Sequence, residues 1–383
     1  MIPFDYHPRT RIVFGPGKID ALGELAGELG ARRVLVVSDP GIIAAGHTER
    51  GLVALRRAGI ETHLFDGVAE NPTTDNVEAG LAIARRYDPE LLVGLGGGSS
   101  MDCAKGINFL LTNGGRMQDY WGVGKATRPM LPMIAVPTTS GTGSETQSFA
   151  LISDAKTHVK MACGDKKASF RVALLDPMLT VTQPRRVTAL TGIDAIAHAL
   201  ETYVTRSRNP ASMAFSREAW LLLGENFAHV LDNPNDLPAR SGMQLGACFA
   251  GLAIENSMLG AAHALANPLT TNYGIVHGQA VGMMLPHVIR FNGAEVNSWY
   301  HDLLECTAGG NGFPAAESGA NGLADFVADL ARHAELPARL SDCGVSSGRL
   351  AQLAAEAAKQ WTGSFNPRKV SEPELLSLYE AAF

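Results

Sequence analysis

Three short β-rich runs, Arg33–Val37 (RVLVV), Glu61–Phe65 and Leu91–Leu95, are separated by two segments of helical spacing, Glu49–Ala58 and Asp75–Tyr87. A strand–helix–strand–helix–strand order requires crossover helices, so it predicts a parallel sheet covered on both faces. Further strands are expected at Met133–Val136, Phe149–Ser153, His158–Cys163 and Val172–Leu175, the middle pair forming a hairpin about Asp154 and Lys156. After Asp176-Pro177 the β-branched runs stop, and long Ala- and Leu-rich segments with helical spacing take over. The expected architecture is an α/β domain with a parallel sheet, 1–182, followed by an all-α domain, 183–383. Pro184, Arg185 and Arg186 mark the boundary region, Val181–Arg185. Gly309–Gly322 reads as an exposed connection.

The chain has 383 residues, enough for two domains at roughly 150 residues each. Hydrophobic residues make up 46% and charged residues 18%, which excludes a disordered chain. The net charge of −6 without a long basic run excludes nucleic acid and an anionic membrane as principal partners. The five cysteines are scattered and form no C-x-x-C pair, so no disulfide framework is expected and a reducing, cytoplasmic setting fits. The N-terminal MIPFDYHPRT lacks a basic head followed by an apolar stretch, so no secretory signal is expected. The best membrane candidate, Leu245–Leu269, is interrupted by Glu255, Asn256 and His263 and reads as a buried helix instead.

Candidate chemistry sits at the ends of strands and on one helix. Gly94-Leu95-Gly96-Gly97-Gly98-Ser99-Ser100 leaves an apolar strand and enters a helix expected over Met101–Leu111. Such a turn either cradles a pyrophosphate on free amides at the helix's positive end or needs glycine for its geometry alone. It is not the common dinucleotide fingerprint, because Ser99 stands at the third glycine and the loop follows the third strand of the alternation rather than the first. Asp39, in Val37-Ser38-Asp39-Pro40, could accept hydrogen bonds from a ribose diol and repel a 2′-phosphate, favouring NAD over NADP, or could merely form a turn. Pro137-Thr138-Thr139-Ser140-Gly141-Thr142-Gly143-Ser144 offers glycines and hydroxyls in a similar position. Asp194 and His198 are four residues apart and share a helical face; with His263 and His277 they would make a one-carboxylate, three-imidazole set suited to Fe²⁺ or Zn²⁺ rather than Ca²⁺ or Mg²⁺. The pair could equally be a helix-surface hydrogen bond. Glu201 is placed behind the ligands, and His287 is left out for want of an acidic partner.

Taken together these segments resemble the iron-containing (group III) alcohol dehydrogenase family, in its lactaldehyde reductase-like and propanediol dehydrogenase-like members. The resemblance rests on Phe14-Gly15-Pro16-Gly17, Gly96-Gly97-Gly98-Ser99 with Asp102 and Lys105, and Pro137-Thr138-Thr139 with Gly141-Thr142-Gly143-Ser144-Glu145. It continues through Asp176-Pro177, Gly192-Ile193-Asp194 with His198 and Glu201, His277-Gly278 and Asn366-Pro367-Arg368. It implies a dehydroquinate synthase-like fold with the active site in a cleft between a dinucleotide-binding domain and a helical domain. It further implies Asp194, His198, His263 and His277 as ligands of Fe²⁺, with Zn²⁺ or another divalent ion as substitutes. Asp39, Gly97, Gly98, Ser99, Thr138, Thr139, Thr142 and Leu179 would contact the cofactor, NAD(H) in preference to NADP(H), with Asp102 near the nicotinamide and Lys160 near the ribose. The implied activity is metal-dependent hydride transfer between NAD(H) and a small alcohol and its aldehyde or ketone, by a homodimer or larger homo-oligomer. Alternatives on the same frame are a lyase, a glycerol-1-phosphate dehydrogenase-like enzyme, or a catalytically silent nucleotide-binding protein. The chain departs from the family in two places. Asn267 stands where many relatives have a second histidine, which removes a group able to titrate near neutral pH, and Ser169-Phe170-Arg171 lacks a proline common before the strand.

Overall fold

The computed structural model of the chain describes residues 3–311 and 319–383. Two compact units are present: residues 7–183, and residues 184–383 together with 3–6. The strands are β1 (Arg11–Phe14), β2 (Arg33–Val37), β3 (Glu61–Phe65), β4 (Leu91–Gly96), β5 (Gly122–Val123), β6 (Met133–Pro137), β7 (Phe149–Ser153), β8 (Lys160–Gly164) and β9 (Val172–Leu175). Six of them form one sheet in the order β1-β9-β6-β4-β2-β3, every neighbouring pair parallel.

Every residue of β4 and β6 is buried, as expected where helices cover both faces of a parallel sheet. Alternate side chains enter separate cores. Leu35, Val37, Leu92, Met133 and Ala135 pack with Val77, Met101 and Ile107, while Val34, Val36, Leu91, Val93, Ile134 and Val136 pack with Ile19, Leu22 and Leu55. Helices Thr74–Tyr87 and Gly98–Asn113 supply the first layer, and Leu22–Glu28 and His47–Arg57 the second. The helix after the glycine loop begins at Gly98, three residues before its expected start at Met101.

The strand order places a switch point beside β2. From β2 the chain moves outward to β3, then crosses back to lay β4 on the other side of β2. The connections therefore diverge at the carboxyl ends of β2 and β4, which leaves a crevice of the kind where ligands of open α/β sheets collect. Asp39 follows β2 and the glycine loop follows β4, so both candidate cofactor segments flank that point.

β7 and β8 form the expected antiparallel hairpin, and β5 adds to β8. The hairpin's second strand starts later than the expected His158. This residue has φ 59, a left-handed turn conformation that no strand residue adopts, and Asp154 Oδ1 fixes the turn by accepting from the Lys156 and Thr157 amides at 2.9 and 2.8 Å.

The second unit is built from helices Arg185–Val204, Pro210–Asp232, Leu237–Glu255, Ala261–Tyr273, His277–Asn311, Ala320–His333, Leu350–Ala357 and Glu372–Ala382. They enclose a core that includes Ile193, Leu200, Trp220, Phe227, Tyr300 and Leu303. The apolar stretch Leu245–Leu269, expected as one helix, is two. Asn256 Nδ2 and Ser257 Oγ fold back onto the Leu252 and Ala253 carbonyls at 2.8 and 2.6 Å and close the first helix. The Glu201 carboxylate then starts the second by accepting from the Gly260 and Ala262 amides at 3.0 and 2.7 Å. Among the described residues no helix is long and apolar enough to cross a membrane. Of the stretch Gly309–Gly322, expected as an exposed connection, 312–318 lie outside the described residues, and the described ends belong to helices His277–Asn311 and Ala320–His333 apart from the turn at Gly319.

Gly278 allows the close approach that brings His277 towards Asp194. A Cβ on Gly278 would lie 2.1 Å from the Leu190 carbonyl oxygen of helix Arg185–Val204, backbone that cannot swing aside. Gly278→Ala is expected to force the two helices apart and cost about 1–3 kcal/mol of stability, the usual range for overpacking. Urea unfolding should show a lower midpoint; an unchanged midpoint would mean that the helices have room to separate freely.

Candidate metal centre and nucleotide cradle

Three imidazoles converge on one carboxylate oxygen. Asp194 and His198 stand one turn apart on helix Arg185–Val204, His263 is in the first turn of Ala261–Tyr273, and His277 opens His277–Asn311. From Asp194 Oδ1 the Nε2 atoms of His263, His198 and His277 lie at 3.4, 3.5 and 3.8 Å. Asp194, His263 and His277 each offer a donor atom within 4.8 Å of the others. His198 joins through Asp194 and through its ring, which stacks on His263 at 4.9 Å between centroids. Asp194, His198 and His263 are buried, whereas the His277 side chain is 26% exposed, so this cluster reaches solvent at His277.

The donor set fits a divalent transition metal. One carboxylate with three imidazoles is a hard-to-borderline set typical of Fe²⁺ and Zn²⁺. Asp194 Oδ1 and His263 Nε2 are both buried and make no hydrogen bond, a costly arrangement for polar atoms in a protein interior unless a cation is bound there. Burial alone would raise the Asp194 carboxyl, yet His198, His263 and His277 hold it well below the usual carboxylate range. Burial would likewise lower the His263 imidazole, but Glu201 and Asp194 lift it to about 9. The shifts are complementary: the imidazoles hold the Asp194 carboxyl down, and the carboxylates lift the His263 imidazole.

Glu201 sets how His263 presents itself. Its Oε2 lies 2.6 Å from His263 Nδ1, and because a carboxylate accepts, Nδ1 keeps its proton, so that a cation at the centre would displace only the Nε2 proton and bind there. The same carboxylate caps the helix that carries His263, so one side chain fixes both the ring and its backbone. Asn366 supports the arrangement: its Oδ1 accepts from the Ala261 amide at 3.3 Å, and its amide pairs with buried Asn292. Asn267, one turn beyond His263, donates to Gln360 Oε1 at 3.0 Å. His287 lies outside the cluster, its pKa lowered by burial and by Arg290.

The glycine loop after β4 meets the threonine loop after β6. Gly96 has φ 151, and a Cβ there would fall 2.4 Å from Ser100 Oγ; one on Gly98 would fall 2.7 Å from Thr142 Cγ2. Gly97 lies beside Thr139, and the Thr138 amide donates to the Gly96 carbonyl at 3.0 Å. No side chain caps the helix Gly98–Asn113, and Thr138 Oγ1 and Ser140 Oγ are buried without hydrogen-bond partners. Crowded glycines, an uncapped helix start and orphaned hydroxyls form a cradle that fits a pyrophosphate.

Asp39 forms the turn, one of the two roles the sequence left open to it, and also ties the glycine loop to it. Oδ1 accepts from the Gly41 and Ile42 amides at 3.0 and 3.1 Å, forming the turn, while Oδ2 accepts from Ser100 Oγ at 3.1 Å across the switch point. Ser99 Oγ accepts from the Asn71 amide at 3.3 Å. Lys160 is exposed at the start of β8, and the Leu179 side chain is buried in the core beneath the sheet.

Asp102 is engaged within the protein. Its Oδ1 accepts from Ser144 Oγ at 2.6 Å and lies 3.5 Å from Lys105 Nζ, and its Oδ2 accepts from the Leu151 amide at 3.2 Å. Lys105 is fully buried and donates to the Ser144 and Phe149 carbonyls and to Ser144 Oγ at 2.7–2.9 Å. Beside them, burial pushes the Glu145 carboxyl up to about 7 against the pull of Lys105. Sequence reasoning singled out neither Ser100, Ser144 nor Glu145 for these contacts; the signal available was the i, i+3 spacing of Asp102 and Lys105.

The family model of the iron-containing alcohol dehydrogenases matches residues 8–177, and that of the C-terminal region of the Fe-containing alcohol dehydrogenase family matches residues 188–383. The 1,3-propanediol dehydrogenase of Citrobacter freundii is 35% identical over 99% of both chains. Among solved structures, a 1,3-propanediol oxidoreductase superposes with a TM-score of 0.95 at 34% identity, covering 100% of both chains. The sulfoacetaldehyde reductase of Bifidobacterium kashiwanohense, solved in complex with NAD+, superposes with a TM-score of 0.89 at 26% identity, covering 100% of this chain and 99% of that one. Matched along nearly its whole length, with a cluster in its helical half that could hold a metal ion, the chain belongs to the iron-containing alcohol dehydrogenase family.

Proposed function

We propose that this family member transfers a hydride between NAD(H) and a small alcohol, diol or hydroxy-aldehyde and its carbonyl partner. In this reading Asp194, His198, His263 and His277 hold a divalent cation, Fe²⁺ in the first place. The observation that carries it is the approach of three imidazole Nε2 atoms to 3.4–3.8 Å from Asp194 Oδ1. Bound there, the cation supplies Lewis-acid stabilisation of negative charge on the substrate oxygen, and the nicotinamide supplies the hydride chemistry.

The chain's own residues do the rest. Glu201 keeps the His263 Nδ1 proton and frees Nε2 for the centre. Gly97, Gly98, Ser99, Thr138, Thr139 and Thr142 cradle the dinucleotide, with Leu179 contributing through its backbone and Lys160 at the ribose. Asp39 accepts from the ribose hydroxyls and repels a 2′-phosphate, which favours NAD(H). Asp102, fully engaged by Ser144, Lys105 and Leu151, holds the loop that carries the threonines in place. Asn267 cannot titrate near neutral pH, so the substrate's proton leaves through water or a ribose hydroxyl. The unit of residues 7–183 serves as the dinucleotide-binding domain, expected over 1–182, and the helical unit as the metal-binding domain, expected over 183–383. The protein works in the cytoplasm as a homodimer or larger homo-oligomer, in keeping with five free thiols and a net charge of −6.

The reading is tested with Fe²⁺-loaded protein, NADH and a panel of short aldehydes and ketones. Wild type is expected to oxidise NADH, and His277→Ala to lose bound metal and turnover together while NADH still binds. Undiminished activity in the variant would remove His277 from the ligand set, and no NADH oxidation by wild type with any divalent metal would overturn the assignment. Asp39→Gly should raise kcat/KM for NADPH relative to NADH about tenfold, or about 1.4 kcal/mol. Glycine is a tolerated N-cap, so the stability loss should be about 1 kcal/mol, mainly from the hydrogen bond that Ser100 loses. An unchanged cofactor preference would mean that the carboxylate does not face the ribose.

A further inference from the structure

Beyond the last turn of helix Arg185–Val204 lies a cavity of about 980 Å³ that none of the metal-centre side chains lines. Most of its wall is apolar, with Val204, Pro210, Met213, Val296 and Trp299 among the contributors. Its charged residues are unbalanced: Arg206, Arg208 and Arg217 face it with Glu295 as the single carboxylate. The long helix His277–Asn311 loses helical geometry at Val296, with φ −131 and ψ 28, where it contributes Glu295, Val296 and Trp299 to the wall.

Arg208 is the unusual member. It is 8% exposed, and its guanidinium lies 3.6 Å from the centroid of the Trp299 ring and 5.0 Å from that of Tyr203. Its Nη1 is buried without a hydrogen-bond partner. Aromatic faces and a hydrogen bond with Tyr203 offset part of the cost of burying the guanidinium, but the unpaired Nη1 still calls for an acceptor, and an anion is the strongest one. Arg206 is occupied by the Pro367 carbonyl at 3.2 Å, and Arg217 by Cys306 Sγ at 3.1 Å, so each leaves the rest of its fork free to add positive charge at the rim. Burial lowers the Arg208 pKa, against the opposing influence of Tyr203 and Asp302; arginine nonetheless stays charged in proteins.

We propose that this cavity binds a small amphiphilic carboxylate, its headgroup on the Arg208 guanidinium and its aliphatic body along Met213, Val296 and Trp299. The planar fork of arginine matches a carboxylate, stacking on an aromatic ring holds the fork in place, and the apolar wall takes the chain. The volume is within the range of small-molecule sites. The site is separate from the reaction centre, so its occupant is a ligand other than the alcohol substrate.

The test is calorimetric titration of sodium octanoate into the metal-loaded full-length protein, with octanamide as the uncharged match. Octanoate is expected to bind at one site per chain, at least about tenfold tighter than octanamide, and Arg208→Gln should weaken it at least about tenfold. In that variant, kcat/KM for a short alcohol should stay within about twofold of wild type. Equal affinity for the two headgroups, equal affinity in Arg208→Gln, or no binding at millimolar octanoate would overturn the proposal. An octanoate bound at the metal would be insensitive to Arg208 and falls under the second of these outcomes. If Arg208→Gln melts well below wild type, Arg217→Gln is read instead, where a loss of several-fold supports the site and unchanged binding refutes it. Dissociation of an oligomer by Arg208→Gln, with no octanoate binding to wild type, would assign the cavity to a second copy of the chain and likewise refute it.

Discussion

His263 is held between two buried carboxylates, and the centre depends on that arrangement. Glu201 accepts a hydrogen bond from Nδ1 on one side of the ring at 2.6 Å, and Asp194 faces the other nitrogen at 3.4 Å. Isolated carboxylates in a protein interior are costly, and both are retained here because positive charge gathers between them. Glu201 also starts the helix that bears His263, while Asp194 shares a helix with His198 and Glu201 itself. A single helix, Arg185–Val204, thereby supplies two candidate ligands and the residue that orients a third. The fourth, His277, arrives through the contact that Gly278 permits.

The nucleotide cradle follows a different economy of parts. Its position is fixed by sheet order: β2 and β4 are neighbours whose connections leave in opposite directions, and Asp39 and the glycine loop occupy the divergence. Ser100 closes the gap between them with a hydrogen bond to Asp39. On the other side the β6 loop crowds against Gly97 and Gly98, and the buried Asp102–Lys105–Ser144 cluster anchors that loop to the helix Gly98–Asn113. These charged groups are spent on holding the backbone, while the unpartnered hydroxyls of Thr138 and Ser140 remain available to a ligand.

Elements governed by local pattern were legible in the sequence. β2, β3, β7 and β9 have the expected bounds; in β2 and β9 unbroken apolar runs at buried positions, and in β7 alternating burial, leave little choice of register. β1 was missed: RIVF is short, partly exposed and recognisable only through its pairing with β9. The break after Glu255 was missed because the carboxylate that starts the next helix lies some sixty residues earlier, at Glu201, a separation no periodicity reveals. The Asp194 and His198 pair was readable from its spacing, and His263 and His277 could be grouped with it by residue type, but choosing the metal reading over a helix-surface hydrogen bond took the resemblance to a known family. The engagement of Asp102 by Ser144 and Leu151, and of Asn267 by Gln360, depends on loops meeting in space and left no mark on local sequence.

The most direct test is an iron-edge anomalous difference map from crystals of the Fe²⁺-loaded protein grown without oxygen. The account predicts one strong peak about 2.0–2.3 Å from an Asp194 oxygen and from a nitrogen of each of His198, His263 and His277, with Glu201 behind His263 and not bound to the metal. A peak elsewhere in the chain, or one that leaves any of the four beyond about 3 Å, would contradict it.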